Sequence, residues 1–132
     1  MVVDVLGLLV CVVVHSAALQ DRVGAKQVFR KAKPLAPRVR LVWADGGYTG
    51  PALAAWLKET SSWELAVVKR TELHAFKVLP RRWVVERTFG WFMKWRCLNR
   101  HHARKPETVE NDLCLVMTKL MLRRLAAQKV AA

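Results

Sequence analysis

The stretch Leu41-Val-Trp-Ala-Asp45-Gly-Gly-Tyr48 is the most informative part of this sequence. It begins in an apolar run, predicted as a strand over 39–43, and ends in a polar turn with one acid and two glycines. Open α/β sheets place ligands at the carboxyl ends of their strands, and glycines let a phosphate or a backbone segment approach closely. Asp45 is therefore a candidate site residue, and an ordinary Asp-Gly turn is the alternative.

The predicted elements around this strand form one mixed α/β domain over residues 1–132. Two valine-rich runs, 2–5 and 8–14, predict a β-hairpin that turns at Leu6-Gly7. Asp21 is expected to cap a helix over 21–33, and the proline-containing segment 33–37 is expected to be a loop. The other predicted elements are a helix over 51–58, strands over 65–68 and 76–79, and helices over 80–99 and 106–127.

The last predicted helix has an apolar stripe, which indicates that one of its faces packs on a core. The residues of the stripe follow i, i+3, i+4 spacing: Val109, Leu113, Val116, Met117, Leu120 and Met121.

Composition restricts the class of protein. The 132 residues include 23 Lys and Arg against 10 Asp and Glu, a net charge of +13, and 53% are hydrophobic, which excludes a disordered chain. Such a charge is typical of proteins that bind a polyphosphate, DNA or RNA rather than lipid. The longest apolar run near the start, 5–14, is too short for a bilayer, which needs about 20 residues. We therefore expect no membrane partner, and three widely spaced cysteines indicate a reducing cytoplasm.

Glu86 is the second candidate acid. It stands among basic residues on the helix predicted over 80–99, where a helical wheel groups Arg82, Glu86 and Gly90 on one face. The same wheel puts Val85, Phe89 and Phe92 on an apolar face. A glycine inside a helix costs about 1 kcal/mol relative to alanine, so space beside Glu86 is a possible reason for it. The alternative is an Arg82–Glu86 ion pair worth only about 0.3–0.5 kcal/mol.

Together the two carboxylates suggest a site for Mg²⁺, which takes one or two protein carboxylates and completes its octahedron with water and substrate phosphate. Two such ions can activate water or a 3′-hydroxyl for phosphodiester chemistry. Nearby Arg and Lys would hold the DNA backbone. Three tryptophans, Trp83, Trp91 and Trp95, could stack on bases, although core packing is the favoured interpretation.

A zinc site is a weaker alternative. Its ligands would be Cys97, His101, His102 and Cys114, but zinc fingers supply their ligands as two close pairs, and this spacing does not. A buried cysteine and exposed histidines explain these residues more simply.

Four segments resemble bacterial insertion-sequence transposases of the DDE type, which have a ribonuclease H-like fold. The first two are the stretch from Leu41 to Tyr48 and the stretch Leu79-Pro-Arg-Arg-Trp-Val-Val-Glu86-Arg-Thr-Phe-Gly-Trp91. The opening Val3-Asp-Val-Leu-Gly-Leu-Leu9, with Ala17-Ala-Leu-Gln-Asp21, and the ending Pro106-Glu-Thr, with Met117-Thr-Lys-Leu-Met-Leu-Arg-Arg124, are similar too. The resemblance covers nearly the whole chain. It implies a ribonuclease H-like mixed sheet with flanking helices.

The resemblance also assigns roles. Asp45 matches the second acid of the family's catalytic triad and Glu86 the third, and both would bind Mg²⁺. Arg82 matches the arginine of the family's Glu helix. The implied reaction is Mg²⁺-dependent DNA cleavage and strand transfer at insertion-sequence ends, with no small-molecule cofactor. The residues that would contact DNA are Arg81, Arg82, Arg87, Lys94 and Arg96.

Departures from the family pattern shape the expected activity. The family's first catalytic Asp lies on an earlier strand, before the segment that matches Met1 to Leu9, while Asp4 matches an Asp near the hairpin turn. Leu79 and Met93 stand where the family often has Tyr and Lys, and the usual DNA-recognition region is absent. We therefore expect an N-terminally truncated domain that is inactive alone and exposes strand edges. Its partners would be DNA, a second copy or the missing N-terminal half.

Three alternatives stay open at this point. Asp4 could stand in for the first acid if it converged with Asp45 and Glu86. The chain could also be a non-catalytic DNA-binding remnant that interferes with an intact transposase. The third alternative is a small basic RNA-binding protein, although glycine-rich or aromatic RNA-reading signatures are lacking.

Overall fold

The computed structural model describes residues 1–68, 83–100 and 103–130. The strands are β1 (Val2–Val3), β2 (Leu9–Cys11), β3 (Leu41–Asp45) and β4 (Glu64–Val68). The helices are α1 (Asp21–Leu35), α2 (Pro51–Ser61), α3 (Trp83–Phe92), α4 (Arg96–Asn99) and α5 (Pro106–Val130), and a 3₁₀ turn spans Gly46–Tyr48. The strand predicted over 76–79 and the predicted helix start at Pro80 lie outside the described residues.

The N-terminal hairpin is confirmed, with shorter strands than predicted. β1 and β2 pair antiparallel, and Val2 lies opposite Cys11. Asp4 closes the turn, because one of its carboxylate oxygens accepts hydrogen bonds from the amides of Leu6 and Leu8, both at 2.8 Å. Pairing ends where this turn geometry begins, which is why the strands are short.

The start and end of α1 correct two predictions. The N-cap is Gln20, without a side-chain hydrogen bond, and Asp21 is the first helical residue, where its charge suits the helix dipole instead. The segment 33–37 is not all loop, because the helix continues through Pro34 to Leu35. Its last turn is closed by the amide of Ala36, which donates to the carbonyl of Ala32.

The strand that bears Asp45 lies two residues later than predicted. β3 pairs in parallel with β4, residue for residue from Leu41 opposite Glu64 to Asp45 opposite Val68. The β4 prediction holds to within one residue, and α2 is three residues longer than predicted. The first of two hydrophobic cores packs against these elements. Its buried residues are Cys11, Ala25, Val28, Phe29, Ala32, Leu53, Leu57 and Trp63.

The single helix predicted over 80–99 is wrong, because it breaks between Phe92 and Arg96. The amide of Trp95 turns back to the carbonyl of Phe92, 3.0 Å away. The break lets Trp95 and Leu98 pack on the second core, whose buried residues are Phe92, Val116 and Met117. The predicted stripe of α5 is confirmed there, since Leu113, Leu120 and Met121 pack against the same three residues.

The buried face of α3 also differs from the helical-wheel prediction. The buried residues are Val84, Thr88 and Phe92, whereas Val85 is 40% and Phe89 53% exposed. Thr88 explains the rotation, because its hydroxyl donates to the carbonyl of Gly7 at 2.7 Å and so turns that side of the helix towards the hairpin.

The architecture is mixed α/β, consistent with a ribonuclease H-like domain. The mixed sheet takes the form of two separate two-stranded sheets, antiparallel β1-β2 and parallel β3-β4. Within the described residues each strand thus has one unpaired edge. In the same residues, the helices include none that is long and apolar enough to cross a membrane.

Candidate active site

Asp45 lies at the carboxyl end of β3, in the turn that the sequence analysis interpreted as a candidate ligand site or an ordinary Asp-Gly turn. Its side chain accepts a hydrogen bond from the amide of Gly47 at 3.1 Å and so starts the 3₁₀ turn. The residue is exposed. Alternation along β3 gives Leu41, Trp43 and Asp45 the more exposed face, while Val42 packs on the first core. The carboxylate of Asp45 therefore lies at an exposed strand end, and the packing of Val42 on the first core holds this strand in place.

A second carboxylate lies next to Asp45. A Cβ built on Gly47 would be 3.3 Å from an oxygen of Asp45 and 3.6 Å from an oxygen of Asp21. Glycine at this position thus leaves the space between the two acids open. Burial raises the pKa of Tyr48, and the charges of Asp21 and Asp45 raise it further. From the sequence Asp21 was predicted only as a helix cap, because the approach of α1 to the turn depends on tertiary packing.

Glu86 is exposed and lies in the first turn of α3, where the helix dipole favours a negative charge. The orientation of this helix depends on the hairpin turn. Gly7 has φ +77°, and a Cβ there would be 2.8 Å from the Thr88 hydroxyl, so both conformation and space require glycine. Thr88, fully buried, donates to the Gly7 carbonyl, with the Val84 carbonyl at 3.0 Å on its other side.

Arg87 is engaged within the chain. Its guanidinium donates to the carbonyl of Leu6 at 2.6 Å and lies over Trp83 and Trp91, 4.4 and 5.0 Å from the ring centroids. Arg124 of α5 lies over Trp91 as well, at 4.4 Å. These contacts join the hairpin, α3 and α5. No sequence pattern predicts these contacts, because Leu6 and Arg87 are 81 residues apart.

The other predicted DNA contacts fall into two groups. Lys94, in the turn after α3, and Arg96, at the start of α4, are both exposed. Arg81 and Arg82 lie outside the described residues, and so does the predicted Arg82–Glu86 pair. Trp91 and Trp95 pack on the second core, as favoured, whereas Trp83 is 47% exposed.

The described residues contain no group of three or more His, Cys, Asp or Glu that could hold a metal ion. Asp4 therefore does not complete a triad with Asp45 and Glu86, and its carboxylate closes the hairpin turn instead. Of the residues considered for zinc, Cys97 and Cys114 are exposed free thiols, and the two histidines lie outside the described residues.

A family model described as the transposase DDE domain matches residues 1–122. The chain belongs to the DDE transposase family. No curated protein and no solved structure gives a match to it. As a DDE transposase domain, it belongs to a family that acts on DNA in transposition and generally uses a divalent metal. The match includes β3 with Asp45 and α3 with Glu86.

Proposed function

We propose that Asp45 and Glu86 are two of the metal-binding acids of a transposase active site that cleaves and joins DNA in a Mg²⁺-dependent reaction. The observation that carries the proposal is the exposed carboxylate of Asp45 at the carboxyl end of β3, within a domain matched by the DDE family model. Resemblance to insertion-sequence transposases supplies the roles of the two acids and the ends of such an element as the DNA substrate.

The donor chemistry at these two positions fits the metal. Mg²⁺ is a hard cation that binds through one or two carboxylates and keeps water and substrate phosphate as its other ligands. Asp45 and Glu86 would hold it, and it would stabilise charge on the attacking and leaving oxygens. The turn at Gly46–Tyr48 fixes Asp45 through the amide of Gly47, and the contact of Thr88 with Gly7 fixes the helix of Glu86.

The exposed cations Lys94 and Arg96 follow α3 directly, and we propose that they contact DNA phosphates. Arg87 acts differently, because its guanidinium already holds the Leu6 carbonyl and lies over two tryptophan rings. Its role is to position α3, and with it Glu86. Arg81 and Arg82 are proposed as further phosphate contacts on the resemblance alone.

We further propose that these 132 residues, tested as one polypeptide, do not catalyse transposition. The family mechanism requires three acids, and the described residues bring no three possible ligands together. In a transposition assay with the chain as the sole transposase, movement at background level is expected. Robust movement that Asp45→Asn abolishes would overturn this part of the proposal and keep the assignment of Asp45.

The DNA contacts can be tested by salt dependence. Each phosphate contact contributes about 0.9 to the slope of log K against log salt for duplex DNA. The double variant Lys94→Gln/Arg96→Gln is therefore expected to bind duplex DNA more weakly, with a slope shallower by about 1.8. Lys58→Gln/Lys129→Gln, which removes the same charge at exposed positions on other helices, is the matched control. Equal slopes for the two double variants would contradict the proposed contacts.

A non-catalytic DNA-binding role is the second candidate, and the charge of +13 favours it. It predicts DNA affinity that is independent of metal and unchanged by Asp45→Asn. If the proposed site is real, Mg²⁺ should strengthen binding to a transposon end in the wild type and not in Asp45→Asn.

A further inference from the structure

A cleft lies at the other end of the β3-β4 sheet from Asp45. It is formed where α1 and α2 end, has a volume of about 530 Å³, and is lined by Arg30, Lys33, Pro34, Pro37, Thr60, Ser61 and Trp63. The helices α1 and α2 flank parallel strands, so their C-terminal ends lie near the amino ends of β3 and β4. The proposed catalytic role uses none of these residues.

Ser61 is the unusual residue of the cleft. It is 6% exposed, and its hydroxyl has no hydrogen-bond partner among the described residues. Leaving a buried polar group unsatisfied is unfavourable, and such groups in folded proteins normally find a partner. A hydroxyl with no partner in the part of the chain that the structure describes, in a residue that lines a cleft, indicates a ligand that supplies one.

Two cationic residues line the same cleft as Ser61. Arg30 and Lys33 are three residues apart on α1 and therefore share a face of the helix. Arg30 is held in place by the ring of Trp56, with its guanidinium 5.3 Å from the centroid. Lys33 donates to the carbonyl of Thr60, next to Ser61. The cleft thus offers an arginine fork, an ammonium and a hydroxyl as donors to one ligand.

The charge balance favours an anion. The C-terminal ends of α1 and α2 bring about half a negative charge each. Arg30 and Lys33 together bring two full positive charges, which exceed this sum, and the net charge of +13 adds to the attraction. Three different donors suit a tetrahedral oxyanion with at least three accepting oxygens better than a carboxylate with two.

We propose that this cleft binds a phosphate group through Arg30, Lys33 and Ser61. In the structure the Ser61 hydroxyl oxygen is buried. Binding therefore requires a local rearrangement that exposes the hydroxyl, and we expect the Lys33 ammonium to exchange the Thr60 carbonyl for the phosphate. The phosphate comes either from a DNA backbone or from a small phosphorylated molecule, and both sources present the same oxygens.

The test is a titration of the ¹⁵N-labelled full chain with inorganic phosphate at constant ionic strength. We expect saturable shifts of the backbone amides of Lys33 and Ser61. Loss of a charge-assisted hydrogen bond by Arg30→Gln should raise the Kd about tenfold, and Ser61→Ala about threefold. Lys58→Gln, one turn before Ser61 on α2 and outside the cleft lining, removes the same charge as Arg30→Gln and should leave the Kd unchanged. Shifts that do not saturate, or equal effects of Arg30→Gln and Lys58→Gln, would overturn the proposal.

A second readout separates binding from a structural role of Ser61. In chloride buffer Ser61→Ala should keep or raise the Tm, because it removes an unsatisfied hydroxyl. It should also reduce the rise in Tm that phosphate gives the wild type. A lower Tm in chloride would show that the hydroxyl has a structural partner and would contradict the proposal.

A duplex of random sequence distinguishes the two sources. If DNA changes the chemical shifts of the same amides and Arg30→Gln reduces that change, the ligand is the phosphodiester backbone. If phosphate changes these chemical shifts and DNA does not, the ligand is a small phosphorylated molecule. Neither result depends on metal binding at Asp45, so the cleft and the proposed active site can fail separately.

Discussion

The region that carries Asp45 and the region that carries Glu86 are held together by different interactions. Around β3, α1 and α2, a core of eight buried residues includes two fully buried leucines, Leu53 and Leu57. Around α3 and α5 the described residues that are buried in the core are Phe92, Val116 and Met117. There the polar contacts of Arg87 and Thr88 with the hairpin turn supplement the packing. Apolar burial thus fixes one acid, and hydrogen bonds across a turn fix the other.

This difference indicates which mutations should displace each acid of the proposed site. Asp45 lies at a strand end that packs on the first core, and the residues of the hairpin turn are not part of that core, so the position of Asp45 should tolerate changes in the turn. The position of Glu86 depends on the orientation of α3, and that orientation depends on the hydrogen bond between Thr88 and Gly7. A mutation in the hairpin turn should therefore displace Glu86 while Asp45 stays in place.

The largest effect is expected from Leu57→Ala in the first core. Leu57 is 0% exposed, and truncation of a buried leucine leaves a cavity that costs about 3–5 kcal/mol of unfolding free energy. Urea denaturation measures this directly. Leu122→Ala, at a residue 61% exposed, serves as the control and should change the unfolding free energy by less than about 0.5 kcal/mol. Equal unfolding free energies for the two variants would show that the first core does not supply most of the stability of the fold.

A smaller loss is expected from Gly7→Ala in the hairpin turn. The positive φ and the contact at 2.8 Å with Thr88 should together cost about 1–3 kcal/mol. Amide shifts should change along α3 and stay constant at Gly46–Tyr48.

Gly90→Ala is the matched glycine control on α3 itself. A Cβ at Gly90 meets no atom of the described residues within 4 Å, and alanine favours a helix interior, so this variant should gain up to about 1 kcal/mol. A loss of stability in Gly90→Ala would show that the cost of Gly7→Ala is not specific to the hairpin turn. Amide shifts at Gly46–Tyr48 in Gly7→Ala would show that the two regions are not positioned separately.

The smallest effect concerns the link between the regions. Glu110 of α5 accepts hydrogen bonds from the amide of Val14 at 2.8 Å and from the ammonium of Lys31 at 2.6 Å. Burial acts to raise the pKa of Glu110, but these two hydrogen bonds outweigh it and the net pKa is lowered. Because Lys31 is half-exposed, Glu110→Gln should cost only about 1 kcal/mol at pH 7.

The pH dependence of the stability of Glu110→Gln tests whether the hydrogen bonds to Glu110 lower the pKa of its carboxyl group. A carboxylate with a lowered folded pKa stabilises the protein above its unfolded pKa, and the contribution disappears as the pH falls through the folded value. The stability difference between wild type and Glu110→Gln should therefore be full at pH 7 and shrink below the unfolded pKa of about 4.3. A difference that grew in acid would contradict the assigned hydrogen bonds.

The sequence predicted local features well and long-range contacts poorly. The turn at Asp45, the stripe of α5 and the hairpin follow from residue patterns within a few positions. The break after Phe92, the rotation of α3 and the contact of Arg87 with Leu6 depend on residues far apart in the chain. For the site, the motifs were enough to select Asp45 and Glu86 as candidates. The proximity of Asp21 to Asp45 required the packing of α1 against the turn.

The assignment of both acids to one metal site is tested most directly by paramagnetic broadening with Mn²⁺, which substitutes for Mg²⁺ at carboxylate sites. In the ¹⁵N spectrum of the full chain, the amides of Gly46–Tyr48 and those beside Glu86 should broaden at the same Mn²⁺ concentrations. Asp45→Asn should relieve both sets together. If the amides beside Glu86 broadened as before in Asp45→Asn, or never broadened with those of the Asp45 turn, the two acids would not share a metal and the proposed site would be wrong.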